Sequence, residues 1–114
     1  MLIGVLMVTY QEFSAVDMRI GKILEVSDLV GARKPIYKIK VDLGELGVRE
    51  IAAGIKDQYA PDALIGKSIV VVVNLDPKPI AGFISQGMAL AVDKEAGISL
   101  LSPDSDVKPG SKVR

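Results

Sequence analysis

An all-β domain closed into a small barrel is what this sequence predicts, and three observations carry that expectation. The 49% hydrophobic content is dominated by Val, Ile, Leu and Ala, with two Phe, three Tyr and no Trp, and β-branched residues favour pleated sheet. Tyr37–Leu43 alternates apolar and polar side chains without a break, the period of a half-buried strand. Ser68–Val73 (SIVVVV) is apolar on both faces, as a strand covered from two sides must be. At 114 residues the chain suits one domain with one core, residues 1–114.

Met1–Val8 (MLIGVLMV) is apolar but far shorter than the roughly 20 residues of a membrane-spanning helix. It has neither the basic flank nor the small-residue cleavage site of a secretory leader. The expectation is an N-terminal extension over residues 1–8, packed as an extra strand, on a cytoplasmic protein. Met7 stands beside Met1 as an alternative start. Thr9 precedes Glu12 by three residues, the spacing of a capping box, so a short helical turn is expected before Asp17. Met18–Val26 reads as the first strand, with Met18, Ile20, Leu24 and Val26 on one face and Arg19, Ile23 and Glu25 on the other. Gly21 marks a bulge or sharp bend in it.

Asp28–Pro35 is a loop. The second strand, Tyr37–Leu43, turns Tyr37, Ile39, Val41 and Leu43 inward and Lys38, Lys40 and Asp42 outward. Leu43–Gly47 reverses the chain, and Val48–Ala53 returns as the third strand. Tyr59–Ile65 reads as one or two helical turns stopped by Gly66. Ser68–Val73 is the fourth strand, and a proline-ruled loop then leads through Gly82 to a fifth running from Met88 to Val92. Lys94–Gly97 is a turn, Ile98–Leu101 a short strand, Pro103–Pro109 a loop and Lys112–Arg114 an extended end. Three strands, a short helix and two further strands is the order of an OB-fold, a five-stranded Greek-key barrel with its helix between strands 3 and 4. The strands after Val92 are additions to that core, and an SH3-like barrel is the competing topology.

Fourteen basic residues balance fourteen acidic ones, which argues against a strong phosphate binder indifferent to sequence. Without cysteine or histidine, thiolate nucleophiles, disulfides, Cys/His zinc sites and imidazole acid–base chemistry are excluded. A carboxylate-based hydrolase survives only as a remainder, so no enzyme and no cofactor are expected. Asp104-Ser105-Asp106 lacks the glycine and distant glutamate of a calcium loop and reads as a polar turn.

Several motifs carry a family resemblance. Phe13-x-x-Val16-Asp17-x-Arg19-x-Gly21-Lys22-Ile23 opens the match, and Ala52-Ala53-Gly54-Ile55, Tyr59-x-Pro61 and Leu64-Ile65-Gly66-Lys67 continue it. Asn74-Leu75-x-Pro77-Lys78, Gly82-x-x-Ser85-Gln86-Gly87-Met88 and Leu101-x-Pro103 complete it. Together they resemble the tRNA-binding domain family. That family includes C-terminal domains of methionyl-tRNA synthetases, small dimeric tRNA-binding proteins and CsaA-type export chaperones. The resemblance implies an OB-fold homodimer that holds the outer corner of tRNA by shape, in partnership with an aminoacyl-tRNA synthetase. Carried over residue by residue, it points to Asn74, Lys78, Ser85, Gln86 and Met88 as RNA-binding. Asp76, Pro79 and Ala81 depart from the more basic pattern around Lys78, and Ile80-Ala81-Gly82-Phe83 resembles the chaperone branch. That branch implies an alternative: capture of unfolded polypeptide in an apolar dimer groove.

Beside the resemblance stands a charge pattern. Arg33, Lys34, Lys38 and Lys40 form the densest basic cluster, with no acid between Gly31 and Val41. OB-folds bind oligonucleotides on the face of strands 2 and 3, so these four are candidates for tracking phosphates. Four such contacts to single-stranded RNA give a log–log salt slope of about 3. The competing reading is a solvated strand face whose lysines guard against edge pairing.

Overall fold

The computed structural model describes residues 6–114. Met1–Val5, where most of the expected extra strand falls, lie outside the described residues; Leu6–Val8 are exposed and belong to no strand. Helix α1 (Tyr10–Ser14) begins with the anticipated capping box: the Glu12 N–H donates to Thr9 Oγ1 at 3.0 Å, and the Thr9 N–H donates to Glu12 Oε1 at 2.9 Å. Nothing on α1 is buried.

Strands β1 (Met18–Asp28), β2 (Tyr37–Asp42) and β3 (Val48–Ala53) form an antiparallel meander, with a short 3-10 turn (Gly44–Leu46) between β2 and β3. Helix α2 (Pro61–Leu64), started by its proline at the first turn, leads to β4 (Ser68–Val72). β4 returns to pair with β1, and β7 (Met88–Ala89) pairs with β4. The resulting order β3-β2-β1-β4-β7 is that of the five-stranded barrel expected from the sequence. Its core holds Ile23, Ile39, Val41, Leu43, Ile51, Leu64, Ile69 and Val71, all almost fully removed from water. β2 alternates inward and outward as its sequence dictates.

β1 departs from the expected parity. Its register slips between Ile23 and Glu25, so the bulge lies there and not at Gly21. One extra residue inverts the alternation: Ile23 enters the core, and Leu24 is 41% exposed. Gly21 is small for a packing reason, because a Cβ there would press on Leu43, Val71 and Val41 at 3.1–3.4 Å.

β4 is covered on both faces within the chain, so its second apolar face leaves no surface needing a partner. The expected fifth strand is broken. β7 ends at Ala89, and β8 (Ala91–Lys94) leaves the barrel to form a hairpin with β9 (Gly97–Leu100). The Leu100 N–H donates to the Tyr59 hydroxyl at 3.0 Å, the main cause of a lowered Tyr59 pKa, while the Tyr37 hydroxyl donates to the Tyr59 carbonyl at 2.8 Å. These bonds tie the added hairpin to the barrel. The chain closes with β10 (Lys112–Val113) pairing with the start of β1.

Candidate nucleic-acid interface

The outer face of β1–β2–β3 arranges its side chains in rows. Glu25, Lys40 and Glu50 stand in cross-strand register in one row, and Ser27, Lys38 and Ala52 in the next. Lys40 Nζ lies 3.1 Å from Glu25 Oε2, and Lys38 Nζ reaches Glu50 Oε2 at 3.9 Å. Lys38 also stands over the Phe83 ring, 5.7 Å from its centroid, within reach of a cation–π attraction. Lys38 and Lys40 therefore share one face, as expected, but each has a carboxylate beside it. Arg33 and Lys34 are exposed on the loop between β1 and β2.

The stretch from Asn74 to Met88 is more ordered than the loop read from sequence. It contains a hairpin of β5 (Lys78–Ile80) and β6 (Phe83–Ser85). Its two turn residues, Ala81 and Gly82, have φ of 51° and 79°, the pair of positive values a type I′ hairpin turn requires. Asn74 is held at both ends of its amide: the Asp17 N–H donates to Oδ1 at 2.8 Å, and Nδ2 donates to the Ala15 carbonyl at 2.6 Å. Ser85 is buried, accepting from the Ala52 N–H at 2.9 Å and donating to the Gly87 carbonyl at 3.0 Å. Gln86 mimics a strand residue, since its N–H donates to the Glu50 carbonyl and its Oε1 accepts from the Glu50 N–H, at 3.0 and 3.1 Å. Ser85 and Gln86 thus fasten the β6–β7 segment to β3, where the barrel must close. Arg49 braces the same place by donating to the carbonyls of Val73 and Gln86, at 2.7 and 3.4 Å.

Lys78 and Met88 open onto solvent at the rim of a cleft of about 420 Å³ between the hairpin and β3. Leu75, Ile80 and Ala52 supply its apolar walls and Asp76 a carboxylate. Met88 is 47% exposed, on the surface and not in the core. Behind the loop, Asp17 and Arg19 form a two-point ion pair at 2.7 and 3.3 Å. The Arg19 hydrogen bond holds the Asp17 carboxyl below its ordinary pKa, outweighing the opposing effect of burial.

Glu25, Glu50 and Arg49 were not singled out as site residues by sequence. Their placement depends on strand register, which brings Glu25 of β1 and Glu50 of β3 beside the lysines of β2. Among the described residues there is no group of three or more His, Cys, Asp or Glu able to hold a metal ion, and no helix long and apolar enough to cross a membrane.

A five-stranded barrel with side chains displayed on its first three strands and a shaped loop beside them is a binding module. Residues 18–112 match the model of a family described as putative tRNA binding domain, and the chain belongs to that family. Methionine–tRNA ligase of Pyrococcus furiosus is 49% identical over 107 residues, which cover 94% of this chain but only 14% of that protein. Among solved structures, the CsaA chaperone protein from Picrophilus torridus superposes with a TM-score of 0.89 at 44% identity, covering 95% of this chain and 100% of that one. A MetRS related protein from Pyrococcus horikoshii gives 0.86 at 33% identity, covering 96% and 99%.

Proposed function

We propose that the chain is a domain that binds tRNA by shape, performs no catalysis, and presents the tRNA to a methionyl-tRNA synthetase or a similar enzyme in the cytoplasm. The observation that carries this reading is the match of residues 18–112 to the tRNA-binding family. Lys38 and Lys40 on the sheet face, Lys78 and Met88 at the cleft, and Arg33 and Lys34 on the adjoining loop are the side chains that reach RNA. Asn74, Ser85 and Gln86 serve the interface by fixing the loop's shape, as their occupied hydrogen-bonding groups support. A weak second contact of this kind raises the local concentration of tRNA at a partner's active site.

The test is titration with bulk tRNA and with a duplex RNA lacking the elbow, across a salt series. Tighter binding to tRNA is expected, and Lys78→Glu should weaken it and lower the salt slope by about 1. Equal affinity for the two RNAs at low salt would overturn the reading. A second reading, capture of unfolded polypeptide, draws support from the likeness to the Picrophilus chaperone and from the cleft's apolar walls. Peptide capture that persists in high salt would favour it.

A homodimer fits either reading, with α1 at the contact. Tyr10, Phe13 and Val16 expose apolar surface there, beside Val113, and a helix of five residues gains little stability alone. Light scattering should return twice the 12.1 kDa chain mass, and Phe13→Asp should return the single mass. Acid should do the same. Glu12 is lowered by the Thr9 backbone N–H, and Asp17 by Arg19. Both shifts are downward, so the stabilisation is complete above the unfolded values, from about pH 5 upward, and fades as the pH falls through the depressed values.

A further inference from the structure

The sheet face that OB-folds turn toward oligonucleotides is electrically neutral here, and the way it is neutralised has a use. Lys40 and Lys38 on it are matched one for one by Glu25 and Glu50, with the charged groups 3.1 and 3.9 Å apart. All four side chains are partly open to water, with relative accessibilities of 38–67%. They border one shallow recess together with Ser27. Among the described residues no backbone group depends on either carboxylate: Glu50 engages Gln86 through its main chain, and the one bond Glu25's side chain makes is to Lys40.

We propose that Glu25 and Glu50 are built-in competitors for RNA phosphate, occupying Lys40 and Lys38 so that only an RNA placing phosphates to displace or bypass both carboxylates is held. This rests on the reading of the chain as a tRNA-binding domain. An exposed ion pair is individually weak, so a phosphate can exchange for the carboxylate. The freed carboxylate nevertheless stays close by and repels its replacement. A flexible single strand binds a sheet face mainly through its phosphates and bears this repulsion in full. A folded RNA engages the Asn74–Met88 loop as well and approaches with its phosphates fixed, so the repulsion is a smaller share of its interaction. Selectivity then comes from weakening the wrong ligand, one of the two routes by which any binder discriminates. The zero net charge of the chain acts in the same direction, because long-range attraction for RNA of any shape is absent.

The experiment compares the wild-type chain with Glu25→Gln, Glu50→Gln and the double variant. Each is titrated with tRNA and with polyuridylate of matched length over a salt series. Glutamine keeps the shape of glutamate at these open positions, and an unchanged melting temperature would confirm an intact fold. Each substitution should tighten polyuridylate binding at low salt about two- to fivefold, the range that loss of one exposed ion pair allows. The double variant should steepen the polyuridylate salt slope by about 1.4, two lysines at roughly 0.7 each. Its preference for tRNA over polyuridylate should fall. An unchanged polyuridylate affinity and slope in the folded double variant would overturn the inference, whatever the wild type does with tRNA. Should the wild type show no preference for tRNA while the variants gain polyuridylate affinity and slope, the carboxylates' role would stand and the tRNA reading would fall.

Discussion

Gly110→Ala is expected to destabilise the domain by about 3 kcal/mol, combining a left-handed backbone cost of roughly 1–2 kcal/mol with a steric cost of similar size. Gly110 has φ +87°, and a Cβ on it would run into the backbone carbonyl of Leu43. Its N–H donates to the Ile20 carbonyl at 2.7 Å, and its own carbonyl accepts from Arg19 at 3.2 Å. The substitution therefore pushes the C-terminal segment off the β2–β3 turn and strains the attachment of β10 to β1. In a domain of this size the melting temperature should drop by roughly 15 °C. Gly31→Ala is the control: its φ is +88°, yet nothing lies within 4 Å of the added carbon, so only the conformational cost of about 1 kcal/mol applies. Equal losses in the two variants would show that the close approach of Gly110 to Leu43 has no energetic weight.

Ser85→Ala should cost about 2 kcal/mol, because it orphans the Ala52 N–H and the Gly87 carbonyl together. A lowered urea midpoint at constant m-value would report this. Measured well below its melting point, the variant should lose little affinity for tRNA, since the hydroxyl faces the wall of the barrel and Asn74 and Gln86 still tether the loop. Lost affinity with an unchanged midpoint would mean instead that the hydroxyl touches RNA.

How legible each element was follows from how local its cause is. The capping box at Thr9 and Glu12, the alternation in β2 and the helical turn ahead of Gly66 depend on residues a few positions apart. They could be read directly. The inverted parity of Ile23 and Leu24 depends on a bulge whose site is set by pairing with β2, and no single-strand pattern reveals it. The β5–β6 hairpin was missed because Ala81 occupies a positive-φ turn position where asparagine or aspartate would have announced it. On the outer sheet face, sequence placed Lys38 and Lys40 side by side. It could not place Glu25 and Glu50 against them, since those contacts cross from β2 to β1 and β3. Asn74, Ser85 and Gln86 were picked out by type and motif, while their tethering to Asp17, Ala15, Ala52 and Glu50 is a product of the fold.

Because Ser85 and Gln86 finish the barrel wall with side-chain bonds, the rim of β3 is guarded by two residues and not by a neighbouring strand along its whole length. An uncovered strand rim is a template for any extended chain that drifts past. Solubility on prolonged storage is therefore coupled to this pair: a protein altered at both positions would stick to its own kind through β3 before its interior had melted.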